Sequence, residues 1–377
     1  MLHLDLIPEV IDGGVEPNWV DWTGDWQNLE VIHRGPDNNL YLIDEGWRKL
    51  TLRVSNRASK TAEDLEDDWR INRYLLARDY PVAPILKLSK LDDEHLAAVY
   101  LYVPGQDLEI KAGADLNLRI VKEAAELLAK LHLLSLKEQA PMPKRAVLHK
   151  MLNEAGGTLE QRQTLQAWAK IKQKGWQIEK TKQSSVSYGR IARDSQNIFG
   201  SGVLTPVEKI LIDQEKFRRY YFDAHKFLRA AELVLGGAFA NQSETCLIHN
   251  DWRPNNMVLN SRGKIEVVLD FDYADEGPRL RDLAAALINW SFPDGQSEPW
   301  VRVFYAFVNA YQQTIGLTRR IDQDKLRWWL QLSCLIEAAV QYNQAFNQAF
   351  YRVGSIEESS AWQKYLYFAG APGSQMG

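Results

Sequence analysis

Eight residues, "HNDWRPNN" from His249 to Asn256, set a histidine, an aspartate, an arginine and three asparagines between the apolar runs Cys246-Leu247-Ile248 and Met257-Val258-Leu259. Polar groups that dense, pinned between two β-prone runs, predict a loop held rigidly at the edge of a core, where chemistry is usually placed. Asp251 precedes Asn256 by five positions, and Asp270 follows fourteen positions later in "VVLDFDYAD", again at the end of an apolar run. Such a set suits phosphoryl transfer. One carboxylate orients an attacking hydroxyl and accepts its proton; an amide oxygen and a second carboxylate hold a divalent cation against nucleotide phosphates. Asp251 fits the first role, and Asn256 with Asp270 the second. Asp272 is a further candidate for metal contact, or else orients the loop.

Protein kinases carry H-x-D-x-x-x-x-N followed by D-F-G; this chain has His249-Asn250-Asp251, Asn256 and Asp270-Phe271-Asp272. With "LLAKLH", "YVPGQ" and "LDFDYADEGPRLRDLA" added, the chain resembles the aminoglycoside phosphotransferase and choline kinase superfamily over about Asp25 to Ala310, and within it most the spore-coat and homoserine-kinase-like branches. The resemblance implies an α+β, protein-kinase-like fold of two lobes. It implies ATP and Mg2+ as cofactors, and transfer of the γ-phosphate to a hydroxyl of a small molecule: metabolite, amino alcohol, sugar or antibiotic. A kinase-fold structural or scaffold protein, for example of a spore coat, with little or no catalysis is the alternative. In this motif type the histidine braces the loop, so His249 is expected to be structural, and His132 of "LAKLH" likewise. Arg253 takes the place of the lysine in the protein-kinase loop; it either contacts the transferring phosphoryl group or lies at the loop rim.

These side chains need elements to hold them. Leu29–Ile32, Leu40–Ile43, Leu50–Val54 and Ala97–Val103 are short β-prone runs, and Thr61 to Arg78 reads as a helix closed by Tyr80-Pro81. Beyond "VPGQ" the pattern turns helical, over Val121–Leu134, Gln161–Lys174, Gln214–Leu235 and Trp300–Phe350. Met257–Leu259 and Ile265–Leu269 read as a hairpin turning at "NSRG", and the terminal "APGSQMG" as disordered. The expected organisation is a β-rich nucleotide-binding lobe over 1–103 and a mainly helical catalytic and acceptor-binding lobe over 104–377.

In "LTLRV", alternation puts Leu50, Leu52 and Val54 on one face and Thr51 and Arg53 on the other, so Arg53 is expected to point into the cleft. An arginine then stands where protein kinases place the phosphate-binding lysine; Lys49 is the fallback. At about 100° per residue, Asp68 falls in the apolar stripe of Leu65, Trp69, Asn72, Leu75 and Leu76. A lone carboxylate on a buried stripe needs a cation, which makes Asp68 the expected partner of Arg53. "HRGPDNN" is expected to lie over the phosphates through Gly35 and Asp37, and the hinge residues Tyr102 and Val103 to contact the nucleotide. Asp282 in "RDLA" is expected to cap the helix that begins there.

A net charge of −4 argues against nucleic acid as a partner. No apolar run approaches the length of a membrane span, and two cysteines are too few for a disulfide framework. A cytoplasmic location, with spore association as the variant, is expected. The acceptor is expected near the C-terminal helices. There Glu337 meets either substrate or an internal arginine, and Trp290, Trp328 and Trp329 form either an aromatic wall for an ammonium group or core.

Overall fold

A computed structural model describes residues 17, 19–21, 27, 29–34, 38–56, 60–108, 116–137, 244–292, 299–347 and 359–370. The backbone divides into two compact units, Met1–Val147 with Ser243–Asp294 and Pro299–Asp322, and Leu148–Gln242 with Gly295–Glu298 and Gln323–Gly377. The division expected after Val103 lies inside the first unit and stays a proposal. The helices expected over Gln161–Lys174 and Gln214–Leu235, and the tail "APGSQMG", lie outside the described residues.

The first unit begins with a six-stranded sheet built from β1 (Trp19–Asp21), β2 (Glu30–Arg34), β3 (Asn38–Asp44), β4 (Lys49–Asn56), β5 (Ile85–Lys90) and β6 (His95–Leu101), in the order β1-β5-β6-β4-β3-β2. All pairs are antiparallel except β1 with β5. Alternation along β4 works as read. Leu50, Leu52 and Val54 pack with Tyr41, Ala97 and Val99 on one face. Arg53 lies opposite Ala98 of β6, on the face where Ala98 packs against Leu65 and Trp69 of helix α1 (Ala62–Leu76). Two strands escape the sequence reading. β5 follows Pro81 and Pro84 and reads as punctuation, and β1 gains its partner only in three dimensions.

Helix α1 starts at Thr61 in a reciprocal capping box. The Thr61 hydroxyl accepts from the Asp64 N–H at 3.2 Å, and the Asp64 carboxylate accepts from the Thr61 N–H at 2.9 Å; such a cap contributes about 1 kcal/mol. Its buried face carries Leu65, Asp68, Trp69, Asn72 and Leu75 of the stripe the spacing predicts, with Ile71 and Tyr74 buried beside it and Leu76 only half-buried. Asn72 ties the helix to the chain entering β5, donating to Ala83 O at 2.8 Å and accepting from the Ile85 N–H at 2.9 Å.

After β6 the chain forms β7 (Gln106–Asp107), helix α2 (Leu118–Lys137), β8 (Thr245–Ile248), β9 (Met257–Leu259), β10 (Ile265–Val268), β11 (Asp275–Pro278), helix α3 (Arg279–Ser291) and helix α4 (Val301–Ile315). β9 and β10 form the expected hairpin, with β7 as third strand, and β8 pairs with β11. At Gly105 a Cβ would collide with Val258 and come within 2.6 Å of Leu259 O, so a glycine there lets β7 approach β9. The Val268 N–H donates to Pro81 O at 2.8 Å, joining this hairpin to the segment that leads into β5.

In the second unit, helix α5 (Gln323–Asn347) packs on helix α6 (Ser360–Ala369). The stretch expected to be helical over Trp300–Phe350 is helical in α4 and α5, with a break where Gly316, at a φ of 91°, ends α4. Among the described residues no helix is long and apolar enough to cross a membrane.

Candidate active site

Strand β8 delivers His249, Asn250 and Asp251, and the β9–β10 hairpin has Asn256 just before it and Asp270 just after it, so the end of one strand meets the open end of one hairpin. Asn256 Nδ2 donates to the Asp251 carboxylate and to its backbone oxygen, both at 2.9 Å, and Asn256 O accepts from the Leu269 N–H at 2.8 Å, one residue before Asp270. The triad expected from the spacing therefore converges. Asp270 of the triad and Asn250, the neighbour of Asp251, need unusual backbone, with φ of 65° and 64°. Asn and Asp are the non-glycine residues that tolerate this region best, and left-handed positions cluster at functional sites.

His249 braces the loop, as expected. Its Nε2–H donates to Leu269 O at 3.0 Å, and its Nδ1 accepts from the Asp251 N–H at 3.3 Å. Its ring stacks at a tilt on Phe271, centroids 4.6 Å apart. The deeper anchor is Asp282, and here the expectation needs correction. α3 has Pro278 at its N-cap with no side-chain cap. The fully buried Asp282 carboxylate instead accepts from the His249 N–H at 2.7 Å, the Asn250 N–H at 2.8 Å and His132 Nε2 at 3.1 Å. His132 Nδ1 in turn meets the Tyr311 hydroxyl at 2.7 Å. Burial would push the Asp282 carboxyl up, but the hydrogen bond and charge of His132 and the His249 N–H outweigh it and hold it below the usual range.

On the sheet side, Arg53 reaches the motif, but its partners are not the one expected. Its Nη2 lies 3.3 Å from Asp270 Oδ1 and hydrogen bonds to Asp272 Oδ2. The cation on Asp68 is Lys60, whose Nζ also meets Asp272 Oδ1. Sequence reasoning passed over Lys60; its one signal is its place directly before the N-cap Thr61, within reach of the carboxylate stripe. The expected Arg53–Asp68 pair is thus replaced by a chain of charges, Asp68–Lys60–Asp272–Arg53–Asp270. Lys49, the fallback, points away and pairs with Asp44 at 3.6 Å, both half exposed.

Burial would raise the Asp272 carboxyl, yet Arg53 and Lys60 hold it well below its usual range. Asp270 moves the other way: burial and then the Asp272 charge raise it, and Arg53 only partly compensates. Asp270 therefore stands short of positive charge, and no donor among the described residues meets Asn256 Oδ1. A hard divalent cation would suit those oxygens, so Asn256 and Asp270 could hold one, and Asp272 could join them only on release from Arg53 and Lys60. Taking each charge out of water costs several kcal/mol, and well-packed apolar replacements of such clusters are often as stable. Stability alone does not account for five buried or half-buried charges here.

Arg253 projects from the loop with its side chain 46% exposed, donating through Nε to Asp251 Oδ1 at 2.6 Å. It lies on the candidate base itself. Tyr102 and Val103 are half-buried in the segment after β6, where the Tyr102 N–H donates to Lys49 O at 3.1 Å. Gly35 and Asp37 lie outside the described residues. Glu337 of α5 meets Lys364 of α6 at 3.3 Å, an internal lysine where an arginine or substrate was expected. Trp290 and Trp329 are buried as core, Trp290 against Phe307.

A family model named APH and described as a phosphotransferase enzyme family matches residues 28–328. No curated protein sequence matches the chain. Among solved structures, an amicoumacin kinase in complex with AMP-PNP, Ca2+ and Ami is similar at a TM-score of 0.58 and 13% identity, over 92% of this chain and 90% of that one. A spectinomycin phosphotransferase in complex with ADP and spectinomycin is similar at 0.51 and 14%, over 90% and 88%. At these identities the likeness is one of fold, and it agrees with the α+β, protein-kinase-like architecture expected.

Proposed function

Since the chain belongs to the APH phosphotransferase family, we infer that it moves the γ-phosphate of ATP to a hydroxyl of a small molecule in a Mg2+-dependent reaction. The observation that carries this reading is the meeting of Asp251, Asn256 and Asp270 through the Asn256 bonds and the shared hairpin ends. Asp251 is the base. Asn256 and Arg253 donate to its two oxygens, which fixes the orientation of the carboxylate. The acceptor oxygen bonds to the γ-phosphorus as the bond to the β,γ-bridging oxygen breaks; ADP leaves, and the hydroxyl proton passes to Asp251. Arg53, buried beside Asp270 and Asp272, offers cationic donors to phosphate oxygens. Asn256, Asp270 and Asp272 would hold the Mg2+, which would supply charge neutralisation at the phosphates.

Similar folds have been solved with AMP-PNP and Ca2+ in one case and ADP in another, which supports a nucleoside triphosphate as donor. The test is an acceptor screen with Mg·ATP over amino alcohols, hydroxylated amino acids, sugars and aminoglycosides. We expect one class to show turnover that Asp251→Asn lowers by about 10²- to 10⁴-fold. ADP formation that is the same in wild type and Asp251→Asn sinks the assignment. No turnover with any acceptor, together with no nucleotide binding, favours the scaffold alternative.

A further inference from the structure

Lys60 has no assigned role in the reading above, yet its position is specific. It is buried, and its ammonium group lies between Asp68 of α1 and Asp272 of the loop after β10. Its backbone is fixed by the capping box that begins at the next residue. The same Asp272 carboxylate divides its oxygens, Oδ1 to Lys60 and Oδ2 to Arg53. Two cations from different elements thus converge on one anionic point beside the candidate metal residues. Phosphate oxygens compete for the same donors, and an ammonium with three rotatable donors can exchange one anion for another. Asp68 would keep hold of Lys60 through that exchange.

Resting on the phosphotransferase reading, we propose that Lys60 is a phosphate-binding residue for the nucleotide, held in place by Asp68, and that with Arg53 it forms a two-cation clamp. The strand arginine does not then carry the phosphates alone. The lysine of the clamp comes from the loop before α1.

The full chain is tested by calorimetric binding of Mg·ATP, Mg·ADP and adenosine, with Lys60→Met and the double variant Lys60→Met/Asp68→Met. The double variant removes one cation and one anion, so no buried carboxylate is stranded if the single variant folds poorly. We expect ATP to bind at least tenfold more weakly in either variant and adenosine to bind within twofold of wild type. The KM for ATP should rise by a similar factor. A purely structural role moves all three ligands together, and that outcome overturns the proposal, as does ATP binding equal to wild type in the double variant. Should wild type bind neither nucleotide, the phosphotransferase reading itself fails, independently of Lys60.

Discussion

The candidate base is gripped by an arginine two residues along the chain. Arg253 donates to Asp251 Oδ1 at 2.6 Å while Asn256 donates to Oδ2 at 2.9 Å. A half-exposed arginine on the candidate base is placed to serve turnover more than nucleotide affinity. We expect Arg253→Ala to lower kcat by about ten- to a hundredfold, with nucleotide affinity changed less than threefold. An unchanged kcat, or an equal loss in nucleotide binding, removes Arg253 from catalysis. The sequence placed this residue next to the chemistry through motif spacing alone. Which oxygen it holds depends on a rotamer that spacing does not encode.

At the scale of elements, the loop between β8 and β9 is held from below by α3 and α2. Asp282 takes two loop N–H groups and His132, and all three interactions weaken together if its charge goes. Breaking a buried charged network by removing one partner costs about 3–5 kcal/mol. Asp282→Asn is therefore expected to lower thermal stability and to cut kcat more than tenfold, since Asn250 and Asp251 lose their placement. A variant with wild-type stability and turnover dismisses the anchor.

The pH dependence follows with a definite sign. The folded-state carboxyl of Asp282 is held below its usual range by His132 and the loop amides, despite burial. Its contribution is present above the unfolded value of about 3.9 and is lost as pH falls through the lower folded value. Denaturant titrations should show the gap between wild type and Asp282→Asn closing below about pH 4. A gap that is constant from neutral pH to pH 3 contradicts this.

For the whole molecule, charge sets the binding order. The chain carries a net −4, and the site gathers Asp270 and Asp272 around Arg53 and Lys60, with Asp251 on Arg253. A bare triphosphate meets those carboxylates unfavourably, and a divalent cation reverses the sign. At a hundredfold excess over Kd, a ligand bound only to the native state stabilises it by about 2.7 kcal/mol. That corresponds to a Tm rise of roughly 5–10 °C for a unit of this size. We expect ATP with Mg2+ to give a shift of that order and ATP with EDTA to give less than half of it. Equal shifts would detach the carboxylates from metal binding.

Local pattern determined much of this protein. Alternation in "LTLRV" and the 100° stripe of α1 put Arg53 and Asp68 on buried faces, and the spacing of Asp251, Asn256 and Asp270 marked residues that do converge. These are properties of single elements or of hairpin ends, and such properties repeat with a period a sequence displays. What only the tertiary structure decided is pairing. Lys60 rather than Arg53 neutralises Asp68, Arg53 turns to Asp270 and Asp272, and Asp282 anchors a loop in place of capping its own helix. A buried charge takes whichever opposite charge the packing brings within reach. For these residues that reach spans up to 219 positions of chain, a separation over which sequence spacing carries no geometry.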